Sequence, residues 1–473
     1  MPTHWITIDL PNHGRRKVTA CFDGGRMSSD GGALLLRSAD SLLDLTGRMA
    51  DGFRDYRNPA RCEHSLRDLI AQRLYGLVLG HEDVNDHDSL RDDSLLALAL
   101  GRADVTGQSR PRDRDRGHPL AGSSTLNRLE LGTPEQAEED RYKRIVADPQ
   151  QLDALLVDVF LDQHRGAVPA QIVLDVDATH DPLHGDQEGR HFHGYYDCYC
   201  YLPLYVTCGS HVLCGRLRSS SVDPAEGVVA ELERIVGQIR ERWEAVRVIV
   251  RGDAGFCRED LMAWCEGQPG VDYVFGLAQN KRLKRAVGQQ QERSRRRGLA
   301  SGRKSRRYRD FRYRTRDSWS QTRRVVGKAE WLPGEARNNN VRFVVTSLSR
   351  RKWGTRELYE ELYCARGDME NRIKEQQLDL FADRTSAVTL RANQLRLHWA
   401  LFAAALLAVI RGWALAGTEL AQAQFGTIRT QLLKVAAVVR VSVRRIRVSL
   451  SSVYPRQELF AHCLARLREL PTS

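Results

Sequence analysis

The chain has 473 residues, too many for one typical domain of roughly 100–200 residues. Its hydrophobic share of 42% and charged share of 28% are ordinary globular values, which exclude a disordered or fibrous chain. The net charge of +12 is not spread evenly: Lys281 to Arg324 hold 18 Lys or Arg against 3 acids, so the remainder sits near −3 and the basicity is a local patch suited to a polyanion. Trp5 to Leu10 and Val18 to Phe22 read as short strands, and Gly31 to about Asp162 reads as helical from the spacing of Leu34, Leu35, Leu42, Leu69, Leu74 and Leu77. The acidic stretch from Glu82 to Asp93 lacks the glycine and terminal glutamate of a calcium loop, so capping and ion pairing are expected of it. At Gln171 the period changes to two. "IVLDVDATH" reads as a strand, and "YLPLYVTC" and "HVLCGRLRS" read as a hairpin turning at Gly209-Ser210. An amphipathic helix over Pro224 to Trp243, a buried strand "VRVIVRGD", a helix over Glu259 to Glu266 and a strand "VDYVFGLA" follow. Strands alternating with helices imply a mixed sheet covered by helices, an α/β fold.

Beyond the basic segment come two further strands, a long helix from about Thr355 to Leu378, and a helical C-terminal stretch ending in the Arg-rich Val435 to Leu450. Within the basic segment, Tyr308, Phe311, Tyr313 and Trp319 alternate with arginines, so 307–324 has strand character. Arginine forks grip phosphates and aromatic rings stack on unpaired bases, which marks Arg306, Arg307, Arg309, Arg312, Arg314, Arg316 and Trp319 as DNA-contact candidates. None of the ten cysteines forms a CxxC pair, so the common zinc framework is absent and a reducing cytoplasm is the expected setting. The apolar run Leu397 to Ile410 is bounded by Arg396 and Arg411 and is shorter than the roughly 20 residues a bilayer requires. It is expected to be a buried helix, with no membrane partner.

Phosphoryl transfer on DNA needs an oxygen nucleophile in line with phosphorus and a leaving oxygen. Two divalent ions about 4 Å apart serve both ends, held by carboxylates on rigid elements. Asp177 in the first strand, Asp253 at the end of "VRVIVRGD" and Glu370 on the late helix form such a set. Asp175 shares a strand face with Asp177 and is the rival first ligand. Taken singly, each acid has a plainer reading: a solvent-facing strand for Asp175 and Asp177, a cap for Asp253, a solvated helix position for Glu370. His184, His191 and His193 read either as active-site loop residues or as polar loop.

The spacing Tyr363-x-x-Arg366-x-x-x-Glu370 resembles the Tyr-Arg-Glu motif of DDE-class bacterial insertion-sequence transposases. "DVDATH" and "VRGDAGF" resemble their first and second acidic blocks. "GHEDVNDHDSLRDD", "HGDQEG" and "MENRIKE" look like the insertion sequence thirteen-eighty family. The resemblance implies an RNase H-like mixed-sheet catalytic core with Asp177, Asp253 and Glu370 as its metal triad. It also implies Mg²⁺ or Mn²⁺ as a pair of ions, and Tyr363 and Arg366 as phosphate holders. The related motif continues with Lys seven positions after the Glu; here Gln377 stands there, and Lys374 is the nearest lysine.

The organisation implied is a helical DNA-binding domain over 1–165, the first part of the core over 166–280 and a basic β-rich insertion over 281–350. The Glu-bearing core helix follows over 351–380, then a helical region over 381–473 for DNA binding or oligomerisation. The function implied is binding of the element's terminal repeats in double-stranded DNA by a homodimer or higher assembly, with cleavage and joining of 3′-hydroxyl ends to target DNA. Ser123 to Arg128 is the N-terminal candidate for entering a groove. A catalytically silent DNA-binding protein, or a nuclease of the same fold, is the alternative.

Overall fold

The computed structural model describes residues 6–164, 168–334 and 340–470. They form two compact units: residues up to Asp148 together with those from Leu406 onward, and Pro149–Ala405.

The second unit is built on one eight-stranded sheet. Helix α1 (Pro149–Gln163) leads into strand β1 (Gln171–Ala178), then the hairpin β2 (Leu204–Cys208) and β3 (His211–Arg216). Helix α2 (Val228–Arg242), strand β4 (Arg247–Gly252), helix α3 (Glu259–Gly267) and strand β5 (Val271–Leu277) follow. Next come helices α4 (Lys281–Ala286) and α5 (Gly288–Ser301) and strands β6 (Ser305–Tyr313), β7 (Arg323–Trp331) and β8 (Asn340–Thr346). The spatial order is β3-β2-β1-β4-β5-β8-β7-β6. Strands β1, β4 and β5 are parallel, and every other neighbouring pair is antiparallel. The β2–β3 turn falls at Gly209-Ser210 as expected, with Gly209 at φ +60°, where glycine costs least.

Period two sorts each strand between the two faces. Ile172, Leu174 and Val176 of β1, with Val248 and Val250 of β4, enter the larger core. Val157 and Phe160 of α1 and Leu232, Ile235, Val236 and Ile239 of α2 cover them. The opposite face carries Val173, Ile249, Val274, Val326 and Val344, covered by Leu358, Tyr359 and Leu362. Asp175, Asp177 and Arg251 fall on this second face, and Asp175 and Arg251 are buried there.

Four sequence expectations are corrected. The basic stretch is no separate insertion: α4 and α5 occupy its first half, and β6, β7 and β8 extend the core sheet itself. The cause is the alternation of Val325 and Val345 into one core and Val326 and Val344 into the other. The expected boundary at 165 falls instead between Asp148 and Pro149, because Val157, Phe160 and Leu161 bury α1 in the sheet unit's core. The single long helix after Thr355 is a succession: a π-helix over Leu358–Tyr363, a 3₁₀ turn over Cys364–Arg366, then helix α6 (Gly367–Leu380). Finally, Val435 to Leu450 is not helical but a hairpin of Ala437–Ser442 and Arg445–Leu450. Its Val/Arg alternation has the period of a strand, and β-branched residues favour it.

In the first unit, Ala33–Leu43 and Leu66–Leu79 are helices, the second opened by a capping box of Ser65 and Asp68. The acidic stretch does cap: Asp83 and Asp93 accept backbone N–H groups, and Asp88 accepts from Ser123. The apolar helix Leu390–Ala414 begins in the second unit and ends in the first, and 83% of its most apolar window is buried, as a core helix would be.

Candidate active site

Parallel strands β1 and β4 are neighbours, so their C-terminal ends deliver Asp177 and Asp253 to one edge of the sheet. Asp253 Oδ1 caps the turn Ala254–Phe256 by accepting from the Gly255 N–H at 2.8 Å, which fixes the carboxylate's position. The third acid arrives on the first turn of α6. There Arg366 donates to Glu370 Oε1 at 2.6 Å, and its other terminal nitrogen lies 3.5 Å from Asp177 Oδ1. One guanidinium thus ties the helix acid to the strand acid. That second nitrogen, Nη1, is buried with no hydrogen-bond partner.

The electrostatics agree with this convergence. Burial pushes the Asp177 carboxyl up to about 6; Arg366 opposes the shift, while the nearby Asp253 and Glu370 charges add to it. Burial works against the Arg366 charge, but Asp177, Glu370 and Asp253 together raise its pKa. Asp175, the rival, is committed elsewhere. Arg251, directly across on β4, donates to both of its oxygens at 2.5 and 2.7 Å and also to the Leu362 carbonyl. This buried pair ties the sheet to the segment carrying Tyr363. Losing one partner of such a pair typically costs about 3–5 kcal/mol.

Tyr363 packs at the same edge. A side chain at Gly276 of β5 would come within 2.7 Å of the Tyr363 hydroxyl and 2.9 Å of the Ala254 nitrogen, so only glycine fits there. Burial, with Asp253 contributing, raises the Tyr363 phenol above its ordinary value. Lys374 is exposed, one helical turn beyond Glu370. Gln377 donates at 2.9 Å to Asp181 Oδ1, a wholly buried carboxyl at the exit from β1. Burial pushes Asp181 up to about 8. Sequence reasoning passed over Asp181; the signal was the substitution of Gln for Lys at 377.

Several basic-segment candidates have structural partners. Arg306 is held by Glu330 and Glu360, Arg309 donates to the Ala286 carbonyl, and Arg314 donates to the Trp319 carbonyl at 3.0 Å. Trp319 is only 4% exposed and meets Tyr313 edge-on, so it presents no face to a base, contrary to the expectation of stacking. Arg312 and Arg316 are exposed. Arg307 lines a cavity of about 550 Å³ with Arg297, Lys304, Arg306 and Arg356, a basic recess on the sheet unit.

All donors at the strand edge are carboxylate oxygens, the set that Mg²⁺ and Mn²⁺ favour. Among the described residues no group of three or more His, Cys, Asp or Glu is closed around a cation position. The positive charge between Asp177 and Glu370 is instead the Arg366 guanidinium. The donors therefore fit a divalent ion chemically, with Arg366 standing where added positive charge is tolerated.

Residues 10–472 match the profile described as transposase DDE domain group 1, and the chain belongs to that family. It is a DNA transposase of the DDE class. No curated protein matches. Among solved structures, the chain is similar to the cryo-EM structure of a piggyBac transposase synaptic complex with hairpin DNA. The identity is 13%, with 93% of this chain and 82% of that chain covered and a TM-score of 0.42.

Proposed function

We propose that this transposase cuts at the ends of its insertion sequence and joins the freed 3′-hydroxyls to target DNA, with Asp177, Asp253 and Glu370 as its metal-holding acids. The observation that carries the reading is the shared field at one sheet edge, where Asp177 feels both other acids and Arg366 bridges it to Glu370. The order β3-β2-β1-β4-β5, with β1, β4 and β5 parallel, supports an RNase H-like core. The motif blocks support membership of the insertion sequence thirteen-eighty group. Two Mg²⁺ or Mn²⁺ ions, when bound, would activate the attacking oxygen and stabilise the leaving one.

The protein's own groups supply position and charge. Asp177 and Asp253 are fixed by adjacent strands, and Asp253 also by its cap. Glu370 is exposed at the start of a helix and is held there by Arg366. Arg366, whose buried Nη1 has no hydrogen-bond partner, would take a phosphate oxygen, and Tyr363 lies beside it. A polar groove of about 1030 Å³ in the first unit supports binding of duplex DNA. Arg61, Arg91, Arg112 and Arg128 line it with Ser124 and Thr125, part of the stretch singled out from sequence. Arg61 and Arg112 carry no ion pair among the described residues, so their charge is available to phosphates. A homodimer or higher assembly on two DNA ends completes the reading.

The test is a strand-transfer assay with linear duplexes carrying the repeats that flank the gene. Joined products are expected with Mg²⁺ or Mn²⁺ and none with chelator. Cut but unjoined ends would favour the nuclease reading, and end binding without cutting the silent one.

A further inference from the structure

The connection between β1 and β2 contains an aromatic hairpin that the acids do not require. Its short strands His191–His193 and Cys198–Tyr201 pair antiparallel, and Gly194 to Asp197 form the tip. The tip is shaped by backbone bonds from the Tyr196 and Asp197 N–H groups to the His193 carbonyl, and by a left-handed Asp197 at φ +55°. It is pinned beside the carboxylates: the Tyr196 ring stacks on His180, with centroids 4.1 Å apart and planes 19° from parallel. His180 lies three residues beyond Asp177 on the same chain exit. Burial first, then the Asp177 charge, raises the Tyr196 phenol, which places that ring within the acids' field.

Tyr195, its neighbour, stands in solvent. It meets Tyr196 edge-on at 5.0 Å and is 85% exposed. An aromatic ring held in water on a fixed turn loses the burial that would normally reward it. Its geometry suits a flat partner arriving from solvent. Near a phosphodiester about to be cut, the flat group at hand is a nucleobase, and every base has a face that an aromatic side chain can cover.

Resting on the transposase reading above, we infer that Tyr195 stacks on an unpaired nucleobase of the DNA end next to the scissile phosphate, with His180 and Tyr196 as the platform that aims it. Holding one base out of the duplex would give the attacking oxygen and Asp177 access to the phosphate. The cost of unpairing is smallest where the base is already mismatched.

The experiment measures binding of full-length protein, in chelator, to two duplexes of the element end: one fully paired, one mismatched at the cleavage junction. Wild-type protein is expected to favour the mismatched duplex. Tyr195→Ala is expected to lose that preference, weakening mismatched binding about 5- to 150-fold, the range for one base–aromatic stack. Tyr195→Phe should keep it, since the ring and not the hydroxyl does the stacking. Wild-type protein that joins ends while Tyr195→Ala keeps the full preference overturns this inference and leaves the transposase reading standing. A preference lost equally in Tyr195→Phe also overturns it. Wild-type protein that binds neither duplex overturns both.

Discussion

Asp177→Asn, Asp253→Asn and Glu370→Gln are each expected to abolish cleavage while end binding persists. Each change keeps the side chain's size and removes one negative charge from a site that must gather cations. Losing a few kcal/mol of charge stabilisation converts, at tenfold per 1.36 kcal/mol, into a rate loss on the order of a thousandfold. The fold should survive. Asp177 and Glu370 are linked through Arg366, Glu370 is exposed, and Asn at 253 retains an oxygen to cap Gly255. Gel-shift and cleavage assays on the same preparations separate the two properties. Cleavage surviving any one substitution would remove that residue from the triad. Asp175→Asn serves as the contrast: its loss should appear as lowered stability, because Arg251 is left buried without a countercharge.

The second large effect concerns stability and pH. Asp181 is wholly buried; among the described residues its Oδ2 has no hydrogen-bond partner, and its Oδ1 accepts from the neutral Gln377. Its pKa is raised by burial from 3.8 to about 8. Below about pH 4 the acid is protonated whether folded or unfolded, and folding carries no proton cost. Between about pH 4 and 8 the unfolded chain ionises while the folded chain does not, so stability falls as pH rises through this window. At 1.36 kcal/mol per unit, the loss is on the order of 5 kcal/mol by pH 8. Asp181→Asn keeps the acceptor for Gln377 and cannot ionise. The variant should match the wild type near pH 4 and unfold at a clearly higher temperature at pH 8. Parallel melting curves across that range would show that Asp181 is not held neutral by the fold. Gln377→Lys should give the acid a charged partner and flatten the same dependence.

The parts of this architecture visible in sequence were those with strong local periodicity. The β-branched run around Asp175 and Asp177, the Gly209-Ser210 turn and the apolar spacing from Val228 to Ile239 each point to one element, and each forms it. What stayed hidden depended on partners distant in the chain. A count of charges from Lys281 to Arg324 makes all its arginines look available. Yet Arg323 is buried between Glu259 and Glu266, which lie 64 and 57 residues away, and Arg324 is buried against Asp310. The same holds for Asp175: period two puts it level with Asp177, and only the register of β4 shows that Arg251 takes it. The break into π-helix at Leu358–Tyr363 leaves no mark in a helix-forming sequence, although such turns recur at functional sites. The Val/Arg hairpin near the C-terminus is legible in principle, since its period is two, but the same charged and apolar residues also fit an amphipathic helix.

The most direct measurement is a crystal structure of the protein soaked in Mn²⁺, read by anomalous scattering. Two peaks are expected at the ends of β1 and β4, within bonding distance of Asp177 and Asp253, one of them also reached by Glu370, with Arg366 displaced from between the acids. Manganese bound elsewhere, or Arg366 still bridging Asp177 and Glu370 at saturating metal, would contradict the assignment of these three side chains.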